Sequence, residues 1–260
     1  MYRSRTVISI VVTIFLFVSF VVLAWGIAHP EISFHQSITS LDSSVQTFAN
    51  ENTSLPLAKF MLFITYFANT EIIIAVQAVL LLILVLVNEE LLAGFFLGSL
   101  ASGAGLSIYF KNALQRARPD VALYEMTSLG YAFPSGHALI STVFYGFLGY
   151  CLMYAARRRW QKVIIACLTT ALIVLIGYSR LALGVHWFSD VLGGWLLGGA
   201  LLSGLIFLFH LVERKLAFSV RYPKGVTLLV MFMVLIALGF LIGYFYVTHA
   251  AELRSIINGS

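Results

Sequence analysis

The sequence predicts an all-α protein, a polytopic bundle of transmembrane helices, and three observations carry that expectation. Of its 260 residues 60% are hydrophobic and only 10% are charged. Mean hydropathy is +0.96, far too apolar for a soluble domain. Apolar runs of about 18 or more residues recur along the chain, each long enough to cross a hydrocarbon core of about 30 Å as a helix.

Taken in order, spans are expected near 6–28, 71–88, 91–110, 138–156, 163–181, 187–210 and 226–248, seven crossings in a single membrane domain over 1–260. The first exceeds the apolar stretch of a signal peptide, and no small-residue cleavage site follows before His29-Pro30, so it reads as a retained anchor. Residues 57–69 are apolar but too short to cross alone. Asn69 or Thr70 suits a helix cap there, and the segment is expected along the outer interface or as an oblique approach to the span at 71–88. The polar stretch from Glu31 to Pro56 reads as an outer loop. Small residues four apart make flat helix faces: Gly94, Gly98 and Ser102 in one span, Gly194 with Gly198 and Gly199 with Ser203 in another. In lipid, association depends on close backbone approach, so these faces are expected to pull helices together.

The formal net charge is +5. Arg3 and Arg5, the run Arg157, Arg158, Arg159 and Lys162, and the group Arg214, Lys215, Arg221 and Lys224 fall on one side of this topology. Juxtamembrane cations resist translocation, which puts that side and the N-terminus in the cytoplasm. Lys111, Arg116, Arg118 and Arg180 crowd the opposite face against the rule, and so need a functional explanation. No basic stripe interleaved with aromatics supports a nucleic-acid partner. Cys151 and Cys167 fall inside spans, where free cysteine behaves as a small apolar residue, and imply no disulfide framework.

Three stretches carry the chemistry. Lys111 is followed seven residues later by Arg118-Pro119, and Gln115 and Arg118 share its face if the helix runs on; Pro119 disfavours helix at Arg118. Pro134-Ser135-Gly136-His137 opens a span: Ser135 suits an N-cap, Gly136 lets a ligand approach the backbone, and free N–H groups with the positive end of the helix dipole meet there. Ser179-Arg180 closes the next span, and after a short turn His186 and Asp190 stand four apart on one helical face. The carboxylate can accept a hydrogen bond from one imidazole nitrogen, leaving the other as a base or nucleophile of fixed tautomer. Each stretch alone also has a structural reading: snorkelling cations, a capping histidine, a His–Asp hydrogen bond. Their conjunction at one membrane face, from four helices, favours holding and cleaving a phosphate. His29, His35, His210 and His249 have no comparable polar neighbours. No zincin-type spacing of histidine and carboxylate occurs, so neither a catalytic metal nor any other cofactor is expected.

Lys111 to Pro119, Pro134 to His137 and Ser179 to Asp190 resemble the three signature motifs of the type 2 phosphatidic acid phosphatase (PAP2) superfamily, integral membrane lipid phosphatases related to vanadium haloperoxidases. The segment 91–210 carries all of them. Residues around Phe60 to Asn69 also resemble the branch of bacterial phosphatidylglycerophosphate and undecaprenyl diphosphate phosphatases. The resemblance implies a core of six helices, to which the span at 226–248 is additional. It further implies a metal-independent phosphohydrolase in which His186 attacks phosphorus to give a phosphohistidine, oriented by Asp190. His137 then protonates the departing oxygen, and Lys111, Arg118 and Arg180 with Ser135 and the Gly136 amide hold the nonbridging oxygens. The expected substrate is a lipid phosphate or diphosphate in a bacterial cytoplasmic membrane, undecaprenyl diphosphate first, then phosphatidylglycerophosphate or phosphatidic acid, with the site on the extracytoplasmic face. A phosphotransferase of the same superfamily is the alternative. An anion transporter is disfavoured, because no charged series continues through the spans.

Overall fold

The computed structural model describes residues 2–120, 130–215, 239–244 and 247. Its helices run in the order α1 (Tyr2–Ala28), α2 (Ser33–Asn52), α3 (Leu55–Tyr66), α4 (Thr70–Leu86), α5 (Glu90–Leu114), α6 (Gly136–Ala155), α7 (Arg159–Ala182) and α8 (Phe188–Lys215). Five of them, α1, α5, α6, α7 and α8, are long and apolar enough to cross a membrane. The pair α3 and α4, bent at 40°, is a further candidate, as a broken span or a re-entrant loop. The chain is an integral membrane protein, all-helical among the described residues, and helices lie at six of the seven expected spans. Apart from 239–244, helical with Ile242 buried, and residue 247, the seventh falls outside the described residues. So do 121–129 of the loop before Tyr131.

Residues 57–69 form most of α3 and the turn after it, bent 40° from α4. Tyr66 to Asn69 turn between α3 and α4, and the Asn69 side chain caps α4 by accepting from Glu71 N at 2.9 Å. The stretch from Glu31 to Pro56, expected as a loop, is instead the 20-residue helix α2. Its polarity hides a helical pattern. No glycine or proline interrupts it between Pro30 and Pro56, and its hydroxyls are absorbed by the helix itself, Ser37, Thr39, Ser43 and Ser44 each bonding the carbonyl four residues back. Ile38, Asp42, Gln46 and Ala49 form its buried face. Phe34, Leu41 and Phe48, seven apart, stay exposed.

α6 and α8 form the centre of the bundle, with α1 against α8, and α5 and α7 against α6. Lipid is as apolar as leucine, so burial of side chains does little to choose one helix packing over another; closeness of approach decides it. A Cβ at Gly194 would lie 2.7 Å from the Ser135 carbonyl oxygen, and one at Gly198 2.9 Å from that of Leu139. These two glycines are what lets α8 back onto α6. Gly199 and Ser203 face α1 instead, a Cβ at the former 3.1 Å from Leu16, while Ser203 Oγ donates to Ser9 O at 3.2 Å. Gly94 and Gly98 do not act this way: no described atom comes within 4 Å of a Cβ at either. Aromatic rings fill the two larger clusters, Phe95, Phe96, Phe144, Phe147 and Phe209 in one. In the other Phe20 lies edge-on to Phe110 and stacked on Phe133, just before Pro134.

Candidate active site

The C-terminal ends of α5 and α7 and the N-terminal ends of α6 and α8 meet at one end of the bundle, and every residue singled out from the motifs lies there. The segment after α5 departs from expectation. The helix does not run on towards Pro119 but stops at Leu114, because Gln115 turns into the left-handed region at φ 46°. Lys111, Gln115 and Arg118 therefore do not share one helical face, although Lys111 and Arg118 still converge on the Tyr131 carbonyl while Arg116 turns to Asp42 and Asp190. Lys111 Nζ donates to Tyr131 O at 2.6 Å. Arg118 donates to Gly130 O at 2.9 Å, to Val185 O at 2.7 Å and towards His186 Nε2 at 3.1 Å.

Asp190 and Arg118 flank the His186 ring. A guanidinium has no acceptor, so in the tautomer with the proton on Nδ1, 3.3 Å from Asp190 Oδ2, the Nε2 lone pair faces Arg118; the Ala132 carbonyl also lies within hydrogen-bond reach of the ring. His186 is 2% exposed and Asp190 fully buried. Burial first, and then the cations Arg118, Arg180 and Lys111, push the imidazole well below its usual 6.5. It is a neutral base with an unprotonated nitrogen aimed at cations.

Asp190 is held on all sides. Oδ2 also accepts Trp187 N at 2.9 Å, the third residue of α8 reaching back to cap the amide before it. Oδ1 accepts Arg116 Nη1 at 2.6 Å. The Asp190 carbonyl accepts Ser135 N at 2.9 Å, which ties the Pro134 to His137 loop to the start of α8. Ser135 occupies the expected N-cap of α6 by backbone, but its hydroxyl does not cap: Oγ is buried and makes no hydrogen bond with the described residues. Gly136 lies so close to α5 that a Cβ would sit 3.4 Å from Ser107 Oγ. His137 follows it and lies within electrostatic reach of Arg180, His186, Lys111 and Arg118. Arg180, 1% exposed, donates from Nη1 to Thr65 Oγ1 of α3 at 2.6 Å.

Three site residues escaped the sequence reading. Arg116 stood out only as a misplaced charge. Asp42 lay in the supposed loop, although its helical spacing with Ile38 and Ala49 was legible. Thr65 gave no signal, since its partner is 115 residues away. Together, Lys111, Arg116, Arg118 and Arg180 against Asp42 and Asp190 leave an excess of two positive charges beside a neutral histidine, a match for a phosphate dianion. Among the described residues no group of three or more His, Cys, Asp or Glu is placed to hold a metal ion.

The fold and the cluster define a class: a polytopic helical membrane protein with a cation-rich, histidine-containing centre where four helices end. Residues 92–216 match the PAP2 superfamily, as the motifs led one to expect. It is similar to phosphatidylglycerophosphatase B of Bacillus subtilis (strain 168), 35% identical over 112 residues, covering 42% of this chain and 50% of that one. It is also similar to undecaprenyl-diphosphatase of Sulfolobus acidocaldarius, 38% identical over 76 residues, 29% of this chain and 32% of that one. The chain thus spans about half the length, or less, of these curated relatives. Among solved structures, a transmembrane PAP2-type phosphatidylglycerolphosphate phosphatase from Bacillus subtilis superposes with a TM-score of 0.66 at 23% identity, over 81% of this chain and 98% of that one, a likeness of fold.

Proposed function

We propose that this chain is a lipid phosphatase that cleaves a membrane lipid phosphate or diphosphate through a phosphohistidine on His186. The observation that carries the reading is the buried His186 imidazole, its Nδ1 3.3 Å from Asp190 Oδ2 and its Nε2 3.1 Å from Arg118 Nη1. In the first step the Nε2 lone pair attacks phosphorus, the P–O bond to the lipid breaks, and His137 gives a proton to the departing oxygen. The charge that appears on the His186 ring is balanced by Asp190. In the second step water attacks the phosphohistidine, His137 takes its proton, the P–N bond breaks and inorganic phosphate leaves. Lys111, Arg118 and Arg180, with Ser135 Oγ and the Gly136 amide, hold the nonbridging oxygens throughout, and phosphoryl transfer needs chiefly such positioning and charge stabilisation. These three cations take the charge-neutralising place that a divalent ion would otherwise fill, which supports a metal-independent reaction.

The names of the relatives support both a glycerophospholipid phosphate and a polyprenyl diphosphate; undecaprenyl diphosphate is our first choice. A site at the ends of spans lets acyl or prenyl chains stay in hydrocarbon while the headgroup meets the cations. The basic α6–α7 turn at Arg157 to Lys162 lies at the other end of the bundle, which supports an extracytoplasmic site in a bacterial cytoplasmic membrane. The test is phosphate release by the purified chain from a panel of lipid phosphates and diphosphates in detergent micelles. Activity should survive excess EDTA, yield to orthovanadate and vanish in His186→Ala together with the phosphoryl-enzyme. Dependence on added magnesium, or turnover by His186→Ala, would end the proposal.

A further inference from the structure

Asp42 lies outside the motifs and Arg116 is not one of their signature positions, yet Asp42 is buried and Arg116 largely so against the residues that hold His186. We propose that they are positioning residues: Arg116 locks Asp190 from behind so that its other oxygen holds the His186 ring, and Asp42 locks Arg116. The proposal rests on the phosphohistidine reading above.

The geometry is a closed circuit. Arg116 Nη1 donates to Asp190 Oδ1 and to Ser189 Oγ, each at 2.6 Å, and its Nη2 donates to Asp42 Oδ2 at 2.6 Å. Asp42 in turn accepts Ser189 N on Oδ1 at 2.8 Å and Ser189 Oγ on Oδ2 at 2.6 Å. It therefore caps an otherwise unpaired amide in the first turn of α8, as well as anchoring the guanidinium. The side chains of Asp42 and Arg116 are 2% and 12% exposed. Arg116 points away from the loop carbonyls of Gly130 and Tyr131 that Lys111 and Arg118 contact, so its donors are spent on the carboxylates and not on the phosphate side.

His186 is faced by Lys111 and Arg118 from the α5 side, by His137 from α6, by Arg180 from α7 and by Asp190 from α8. Asp190 is the single anion among them. Its orientation decides whether the positive charge that forms on the ring during attack is balanced. A carboxylate with no exposure whose rear oxygen lost Arg116 would be held through Oδ2 by the Trp187 amide alone, and its alignment with Nδ1 would no longer be fixed from behind. Residues that orient a reacting group in this way typically cost 10–100-fold when removed. The loss should fall on kcat and on phosphoryl-enzyme formation, with KM unchanged, because neither side chain touches the substrate.

The test uses the full chain in detergent with two substrates, a lipid phosphate and p-nitrophenyl phosphate. Arg116→Gln should lower kcat by about 10–100-fold on both, leave KM within about twofold and slow the phosphoryl-enzyme burst in proportion. Arg116→Lys should recover part of it. Asp42→Asn should show the same split more mildly, and the double variant should be no worse than Arg116→Gln alone, since both act on one circuit. A KM effect at unchanged kcat, a wild-type burst in Arg116→Gln, or additive losses would overturn the proposal. If Arg116→Gln does not fold, Asp42→Asn and Arg116→Lys are held to the same criteria, and wild-type kinetics in both overturns it. Absence of any phosphoryl-enzyme in the unmutated chain would instead remove the underlying reading, so the two failures are distinguishable.

Discussion

Replacing Gly194 with alanine should pry apart the two halves of the site. The new Cβ would stand 2.7 Å from the Ser135 carbonyl oxygen and 2.8 Å from Ala138 Cβ, whereas ordinary contact begins near 3.4 Å, so α8 must retreat from α6 by about 0.7 Å. Ser135 O is backbone and cannot swing aside. The bond from Ser135 N to Asp190 O, now 2.9 Å, joins the same two segments and would stretch with them. Overpacking of this kind costs about 1–3 kcal/mol. The displacement also separates His137 from His186, and a misplacement near 1 Å costs about 10²-fold in rate, so turnover should fall by about 10–100-fold. The assay pairs phosphate release with thermal unfolding in detergent, and uses Gly98→Ala as its control, because no described atom lies within 4 Å of a Cβ there. Wild-type turnover and melting in Gly194→Ala, or equal damage in Gly98→Ala, would refute the account of how α6 and α8 set the site.

Other outcomes follow from the same geometry. His186 is held well below 6.5, so the neutral nucleophile persists as pH falls past that value, and the acid limb of kcat/KM due to this ring should lie lower; a nucleophile titrating at or above 6.5 by ring NMR contradicts this. His137→Ala should slow hydrolysis of a lipid monophosphate by about 10²–10⁴-fold but affect p-nitrophenyl phosphate less, since nitrophenolate leaves unaided; equal losses would make His137 a phosphate ligand only. In a chain with Cys151 and Cys167 replaced by alanine, a cysteine at Ser40 on α2 should react with an impermeant thiol reagent in intact cells and one at Arg158 should not. The reverse pattern would put the site in the cytoplasm.

What was legible in the sequence was whatever stood out against an apolar background. Lys111, Arg118, His137, Arg180, His186 and Asp190 are conspicuous because charged and imidazole side chains are scarce here, and the alternation of spans brings their ends to one face. The span positions follow from the length of each run. The local geometry around them was harder to read. The end of α5 depends on Gln115 adopting a left-handed turn four residues before Pro119, and no rule of spacing anticipates it. α2 was misread because serine and threonine suggest a loop when their hydroxyls are counted as needing water, whereas here they bond to their own helix. Asp42, Arg116 and Thr65 act through partners 74 to 147 residues distant, beyond any local pattern.

Those distances bear on how the protein is made. Asp42 emerges from the ribosome 147 residues ahead of Ser189, whose amide it caps, and Arg116 emerges 74 ahead of Asp190. Until the last two described spans have been inserted, these charges wait at the membrane surface with half their partners not yet synthesised. The final closing of α8 against α6 then satisfies Asp42, Arg116 and Asp190 in one event. A chain that stalls before α8 leaves Asp42 without the Ser189 amide and Arg116 without Asp190.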